Sequence, residues 1–243
     1  MSWRVATVVG LQDETATART IVLDVAGWPG HDAGQHVDVR LTAPDGYTAV
    51  RSYSIASEVD GQRIELAVER LPDGEVSPYL AQDLVVGDLL EIRGPVGGWF
   101  VWRPEQTERV QLVAGGSGVV PLLAMARTHA AAGSRAPFRL LYSVRDTGSV
   151  LYGSELDRLS RRDSGLDVTY AYTRVAPAGS LRPPRRVDTT VLAEATWPRV
   201  DEPTCYVCGP TAFVEVVADL LTAAGHDPGR VRTERFGPSG GIR

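Results

Sequence analysis

Three short segments of this chain gather residue types that could bind and work on a planar, phosphate-bearing molecule. Val110-Gln111-Leu112-Val113-Ala114 has the pattern of a buried strand and runs into Gly115-Gly116-Ser117-Gly118-Val119-Val120-Pro121 before a helical stretch. Glycines there let backbone N–H groups approach an anion at a helix N-terminus, where unpaired donors and the helix dipole favour phosphate. The turn lacks the third glycine of the usual dinucleotide fingerprint, and it lacks the acidic residue about 20 positions on that would hold a ribose 2'-hydroxyl. Ser143 and Arg145 stand in that stretch instead, and an arginine there suits a 2'-phosphate, which favours NADPH over NADH. In Arg51-Ser52-Tyr53-Ser54, at the end of another strand, alternation sets Arg51 and Tyr53 on one face and Ser52 and Ser54 on the other. A planar cofactor bearing phosphate could use that cation and ring together; an edge strand whose tyrosine packs on a barrel accounts for the same residues. Cys205-x-x-Cys208 has the spacing of thioredoxin-like and zinc motifs. In a strand, however, a displacement of three sends the two side chains to opposite faces. Only Cys208, at the strand's C-terminal end, is expected to reach the crevice where open parallel sheets bind ligands, and Cys205 has the character of an inert buried thiol.

Whole-chain properties narrow the function classes. The 243 residues are 43% hydrophobic and 23% charged, as in ordinary globular chains, and no stretch approaches the ~18 apolar residues of a membrane span. The N-terminus lacks the basic start, apolar run and small-residue cleavage site of a secretory signal, so a cytoplasmic protein is expected. Two cysteines are too few for a disulfide framework, a four-cysteine zinc site or an iron–sulfur cluster. The histidines, at 31, 36, 129 and 226, show no ligand spacing, so no metal site is expected; His36 begins a strand and could approach a bound cofactor. The chain has no lysine and no asparagine, which excludes a lysine-ended phosphate loop and a lysine Schiff base. Its net charge of −5 divides unevenly: residues 1–103 carry 8 arginines against 15 carboxylates, and residues 104–243 carry 17 against 15. Between Arg158 and Arg186 seven arginines (158, 161, 162, 174, 182, 185, 186) meet two aspartates, a local field that suits a small polyanion better than a nucleic acid. A solvated arginine-rich loop is the plainer reading.

The elements that must position these residues fall into two halves. Strands are expected at 3–9, 19–25, 35–41, 47–55, 63–70 and 88–93, punctuated by turns such as Pro44-Asp45-Gly46 and Asp60-Gly61, which predicts a six-stranded antiparallel β-barrel. A short helix is expected after Ser77 as its N-cap. Arg103 to Glu108 is the expected linker, dividing the chain into domains at 1–103 and 104–243. Beyond it strands and helices alternate: 109–114, 118–132, 138–144, 153–161, 166–173, 189–195, 204–208, 211–223 and 231–236. That order predicts a doubly wound α/β parallel sheet.

Arg51-x-Tyr53-Ser54, Gly94-Pro95-Val96-Gly97-Gly98-Trp99-Phe100, Gly116-x-Gly118-x-x-Pro121, Cys208-Gly209-Pro210 and Glu234-Arg235-Phe236, taken in order, resemble the ferredoxin–NADP reductase superfamily of flavoproteins. The likeness runs from about Val5 to Phe236 and is to the flavin and nicotinamide domains of oxygenase-type reductases without their fused ferredoxin domain. It implies that Arg51 holds the flavin pyrophosphate or phosphate, that Tyr53 lies against the isoalloxazine, that Ser54 hydrogen-bonds near N5, and that Ser52 is among the cofactor-binding residues. It matches Ile64 to Arg70, with Ala67, Val68 and Glu69, to a second flavin-contacting strand, and Gly74-Glu75-Val76-Ser77 to a phosphate-binding turn. It implies a nicotinamide-nucleotide pyrophosphate site at Gly116, Ser117, Gly118 and Pro121. Val120 stands where the family often has threonine, so weaker nucleotide affinity is expected. By the same resemblance Cys208, with Gly209 and Pro210, sits beside the nicotinamide C4, while Glu234 exchanges a proton or hydrogen bond near the flavin. Phe236 would cover the nicotinamide side, though seven residues follow it and could displace that cover. Thr173-Arg174 match the place where NADPH-dependent relatives bind the 2'-phosphate, joined here by Ser143, Arg145 and the loop of Arg182, Arg185 and Arg186.

The implied activity is hydride transfer from NADPH or NADH to bound FAD, in preference to FMN, with Ser54, Cys208 and Glu234 at the reacting centre. Electrons would pass singly to a separate partner: a ferredoxin, a flavodoxin, a haem protein or a molybdenum protein. The acidic first half argues against a typical acidic ferredoxin unless basic residues cluster at the flavin edge. Two alternatives remain open, a free-flavin reductase and a non-catalytic electron-transfer subunit of a larger complex.

Overall fold

In a computed structural model that describes residues 2–161, 165–180 and 182–237, apolar residues at alternate positions curl the first half into a six-stranded antiparallel sheet. Its strands are β1 (Arg4–Thr15), β2 (Ala18–Val25), β3 (His36–Thr42), β4 (Thr48–Ser54), β5 (Arg63–Glu69) and β6 (Leu89–Val96), in the order β4-β3-β6-β1-β2-β5. Just past β4, Ile55 bridges Leu66 and the Ala56 N–H donates to the Glu65 carbonyl at 2.7 Å, so the two edges meet as a barrel. Side chains such as Val8, Leu23, Val39, Leu66 and Ile92 fill its interior. β1 runs six residues beyond the expected Val9, because register shifts at Val8/Gly10 and Asp13/Thr15 break the two-residue alternation while the ladder to β2 continues.

The short helix after Ser77 is a π-helical turn, Tyr79–Asp83, and Pro78, not Ser77, stands at its N-cap. The Ser77 hydroxyl accepts instead from the Leu71 N–H at 3.0 Å, tying the turn back onto the end of the preceding strand.

The second half is a parallel sheet in the order β11-β10-β7-β8-β9. Its elements are β7 (Val110–Gly115), α1 (Val119–Ala131), β8 (Phe138–Val144), α2 (Gly153–Arg161), β9 (Leu166–Tyr172), α3 (Thr189–Ala195), β10 (Thr204–Pro210), α4 (Thr211–Ala223) and β11 (Val231–Phe236). Every residue of β7 is buried, as in a central strand covered on both faces. Leu112, Leu140 and Cys208 pack in the layer of α1 and α2, whereas Val113, Leu141 and Cys205 pack in the layer of α3 and α4. The sheet order reverses at β7, so the turns after β7 and β10 flank the switch point where doubly wound sheets bind ligands.

The halves share one apolar layer, since Phe100 and Trp102 pack with α1. Gly34, at φ +101°, is required there: a Cβ would fall on the Phe100 carbonyl oxygen and lie 2.7 Å from Met125 Cε. Arg127 of α1 clamps the seam. Its Nη1 donates to Glu65 at 2.6 Å and to the Ala56 carbonyl at 3.0 Å, and its Nη2 donates to Glu155 at 2.6 Å. Burial opposes that charge, but Glu155 and Glu65 outweigh it and raise the guanidinium's pKa. The Thr20 and Tyr152 hydroxyls add a contact at 2.6 Å. Residues 103–109 carry neither strand nor helix. Arg162, within the arginine-rich stretch, and residues 238–243 beyond Phe236-Gly237 lie outside the described residues.

Candidate functional site

The last residue of β4 and the edge strand β11 converge where the halves meet. Ser54 Oγ donates to Glu234 Oε1 at 3.1 Å. Burial raises the Glu234 carboxyl to about 7, with the Ser54 hydrogen bond opposing. Cys208 is the register partner of Glu234 in the β10–β11 ladder. Burial pushes the Cys208 thiol well above its ordinary value, and the neighbouring Glu234 adds to this. Cys205 and Cys208 do face opposite layers, but Cys208 has no accessible surface, so it borders the crevice from beneath without opening onto it. Phe236, on the same face as Glu234, is half-buried against the α1 layer.

The glycine turn is a backbone cradle. Gly116 has φ +54°, Gly116–Gly118 form a 3-10 turn, and α1 begins directly after it with no acidic residue in its first turn. A Cβ on Gly118 would collide with the Cys208 carbonyl oxygen, and one on Gly209, at φ +151°, would lie 2.9 Å from the Gly115 carbonyl oxygen. The turns after β7 and β10 therefore pack backbone to backbone, leaving the α1 N-terminus bordered by main chain. Ser117 is half-buried beside it, while Val120 and Pro121 are buried in the core.

On the barrel side, Tyr53 is half-buried against the barrel core, its phenol pushed up to about 12 by burial. Arg51 is exposed and ion-paired: Nη2 meets Glu75 Oε2 at 2.6 Å, and the Tyr47 hydroxyl donates to the other Glu75 oxygen at 3.1 Å. Glu75 belongs to the Gly74–Ser77 turn, so the expected phosphate ligand and the expected phosphate-binding turn hold each other. Gly74 is required at this turn, because a Cβ would lie 2.8 Å from Ser77 Oγ. Ser52 donates to Asp38 at 2.7 Å. Val68 and Val76 turn their side chains into the barrel core and offer outward only backbone. Ala67 joins the interdomain layer, and Glu69 lies 3.8 Å from Arg145 across the seam.

At the far end of the crevice Thr173 and Arg174 donate their backbone N–H groups to the carbonyls of Val144 and Arg145. That pairing brings Arg174, Arg145 and the buried Ser143 to one corner. Arg182 pairs with Glu194 at 2.9 Å and Arg185 with Asp188, whereas Arg174 and Arg186 have no carboxylate partner among the described residues. Two residues, Asp38 and Phe213, were missed in the sequence, and the pairing of Glu75 with Arg51 was not foreseen. Asp38 and Glu75 act through pairing between strands and turns that no local pattern encodes, and Phe213 packs where a Cβ on Gly115 would come within 2.6 Å of its ring.

A β-barrel joined to a doubly wound sheet, with a glycine cradle and a serine–carboxylate–thiol cluster at the seam, defines a two-domain flavin and pyridine-nucleotide oxidoreductase. Residues 21–101 match the oxidoreductase FAD-binding domain family and residues 112–219 the oxidoreductase NAD-binding domain family. The ferredoxin–NAD(P)+ reductase component of naphthalene 1,2-dioxygenase/salicylate 5-hydroxylase systems from Ralstonia sp. is 30% identical over 235 residues, covering 96% of this chain and 69% of that protein. The glycine betaine monooxygenase reductase subunit of Pseudomonas aeruginosa is 28% identical, covering 85% and 56%. A Rhodopirellula baltica flavohemoprotein is 29% identical, covering 86% and 54%. This chain thus spans little more than half the length of the latter two. Among solved structures, the FAD/NAD-binding domain of a Vibrio cholerae nitric oxide dioxygenase superimposes with a TM-score of 0.87 at 27% identity, covering 97% and 99%. Phthalate dioxygenase reductase gives 0.76 at 25%, covering 99% and 70%. The chain belongs to the ferredoxin–NADP reductase superfamily of NAD(P)H-dependent flavin oxidoreductases. Among the described residues no helix is long and apolar enough to cross a membrane.

Proposed function

We propose that this chain takes a hydride from NADPH, or less readily NADH, onto FAD and hands the electrons singly to a partner protein, with residues 1–103 holding the flavin and 104–243 the nucleotide. The residues present fit both groups. The Gly116–Gly118 turn at the α1 N-terminus, backed by Gly209, would offer its backbone N–H groups to a pyrophosphate, with open space around Gly116 and no acidic side chain in the first turn of α1 to compete. Arg51, Tyr53 and the tight Gly74 turn are a donor set for a flavin bearing phosphate. Bound flavin would supply the hydride acceptor and the capacity to release single electrons.

The chain's own residues would then align and gate. Tyr53 would support the ring, Ser54 would turn its hydroxyl from Glu234 toward it, and buried Cys208, its raised thiol staying protonated, would form the floor beneath the nicotinamide's place. Glu234 would exchange a proton at its carboxyl near pH 7, and the seam clamped by Arg127 would exclude water. Arg174 and Arg145 would receive a 2'-phosphate. The observation that carries this reading is the convergence of Ser54 and Glu234 from the two halves. FAD-loaded protein is expected to oxidise NADPH with a dye acceptor; bound FAD with no turnover from either nucleotide would contradict it.

The Arg51–Glu75 ion pair favours one second reading, a free-flavin reductase, because a flavin phosphate must displace a carboxylate to reach Arg51. Loss of yellow colour on dialysis, with reduction of added flavin, would select it.

A further inference from the structure

Ser54 and the glycine cradle belong to different halves, and a circuit of contacts joins them. Ser54 donates to Glu234 at 3.1 Å, Glu234 is the register partner of Cys208, and the Cys208 carbonyl packs so close on Gly118 that no Cβ fits there. Gly118 leads into α1, a rigid rod that carries Arg127 about 12 Å further on. There the guanidinium returns across the seam: Nη1 donates to the Ala56 carbonyl at 3.0 Å and to Glu65 at 2.6 Å. Ala56 stands two residues past Ser54, and its N–H donates to the Glu65 carbonyl at 2.7 Å, so both backbone groups of Ala56 are held. Within its own half Arg127 makes a second fork onto Glu155, from Nε at 2.9 Å and from Nη2 at 2.6 Å. The Arg127 side chain is 13% exposed and its guanidinium lies 5.3 Å from the centroid of the Tyr152 ring, so its donors face protein more than water.

Two links of this circuit cross the seam, the Ser54–Glu234 hydrogen bond and the Arg127 contacts with Ala56 and Glu65. They differ in what becomes of them when the site works. The Ser54 hydroxyl has a single proton to donate, so in turning toward a bound flavin it leaves Glu234 and the first link opens. The Arg127 link uses no group of the reacting centre and stays closed. We propose that Arg127 is the positioning residue of hydride transfer, holding the cradle for the nucleotide against the strand end that carries Ser54. The proposal rests on the reductase reading above and deepens it. Glu155 plays a different part, since it lies in the same half as Arg127 and orients the guanidinium without spanning the seam. The Thr20–Tyr152 contact crosses elsewhere, ahead of α2, and leaves α1 to Arg127. The residues assigned to the nucleotide's phosphates all lie in one half and those assigned to the flavin phosphate in the other, so loosening the link disturbs alignment and spares binding. A displacement of about 1 Å is enough to cost such a transfer on the order of a hundredfold.

The test compares the FAD-loaded full chain with Arg127→Met, Glu65→Ala and Glu155→Ala, and Glu65→Ala decides alone where Arg127→Met does not fold. Nitroxide labels on Val85→Cys and Val216→Cys, exposed positions in the two halves, report the interdomain distance by pulsed electron paramagnetic resonance, while the inaccessible Cys205 and Cys208 stay unlabelled. Before any nucleotide is added, the distance distribution is expected to broaden in Arg127→Met and Glu65→Ala and to keep its wild-type width in Glu155→Ala. In rapid mixing with NADPH, the limiting rate of flavin reduction is expected to fall about tenfold or more in the first two variants and to stay within about twofold in Glu155→Ala. The apparent Kd for NADPH is expected to stay within about twofold in all three, because the cradle is intact. Unbroadened distances or unchanged limiting rates in Arg127→Met and Glu65→Ala would overturn the proposal. Equal slowing in Glu65→Ala and Glu155→Ala would overturn it as well, since it would mark a contribution to folding alone. Failure of both nucleotides to reduce wild-type flavin would count against the reductase reading, whereas the distance distributions test the link without electron flow.

Discussion

Ser54 Oγ lies 3.1 Å from Glu234 Oε1, a hydrogen bond that joins the last residue of a barrel strand to the edge strand of the parallel sheet across 180 positions of sequence. The contact exists only when both halves are folded and docked, so the chemistry it serves is a property of the seam. Burial there holds the Glu234 carboxyl near pH 7, where a carboxyl can both give and take a proton.

The first prediction concerns pH. Glu234 rises from 4.5 to about 7 on folding, so between those values the native state binds a proton that the unfolded chain does not. Stability should therefore fall as pH rises through that window and level off above it. Glu234→Gln should flatten both this slope, read as melting temperature against pH, and the ionisation near 7 in the rate of flavin reduction. The variant's rate should drop about a hundredfold. An unchanged pH profile would remove Glu234 from the reacting centre.

The Arg51–Glu75 pair makes a second prediction, of opposite signs for its two members. Arg51→Ala should lose flavin on gel filtration, with affinity down about tenfold or more. Glu75→Gln should retain flavin more tightly, because the guanidinium is then free for phosphate. Fluorescence titration with FAD measures both; weaker binding in Glu75→Gln would show that the pair supports the site and does not compete for it.

These two cases mark what the sequence makes legible. Glycine turns and periodicity carry local information, and α2, α3, α4, β8 and β11 occupy the expected ranges. Opposite faces for Cys205 and Cys208 follow from strand geometry alone. The length of β1 is hidden because bulges erase alternation, and the Ser77 bond to Leu71 is hidden because a hydroxyl has several nearby donors to choose from. Glu75 beside Arg51 and Asp38 beside Ser52 depend on register and on turns meeting strands, which only the closed barrel decides.

The cysteines provide a third prediction. Both are inaccessible and burial raises both thiols, Cys205 to about 12. Iodoacetamide should modify neither in the folded protein and both in denaturant, as read by mass spectrometry. Cys208→Ala should slow flavin reduction about tenfold with flavin still bound, since it hollows the floor beneath the nicotinamide's place, whereas Cys205→Ala should leave the rate unchanged. Equal rates in both variants would contradict a role for Cys208.

Arg174 carries the fourth. It stands beside Arg145 and has no carboxylate partner among the described residues, so Arg174→Ala should raise KM for NADPH about tenfold and leave that for NADH nearly unchanged. Steady-state kinetics with both nucleotides decides it: equal losses would contradict a 2'-phosphate contact.

Hydride transfer across the seam is read in the visible absorption spectrum of the FAD-loaded protein, followed anaerobically as NADPH is added to one cuvette and NADH to another. The flavin bands should bleach with both nucleotides, and faster with NADPH. Bands that persist with either nucleotide, in protein that retains its flavin, would contradict hydride transfer across this seam.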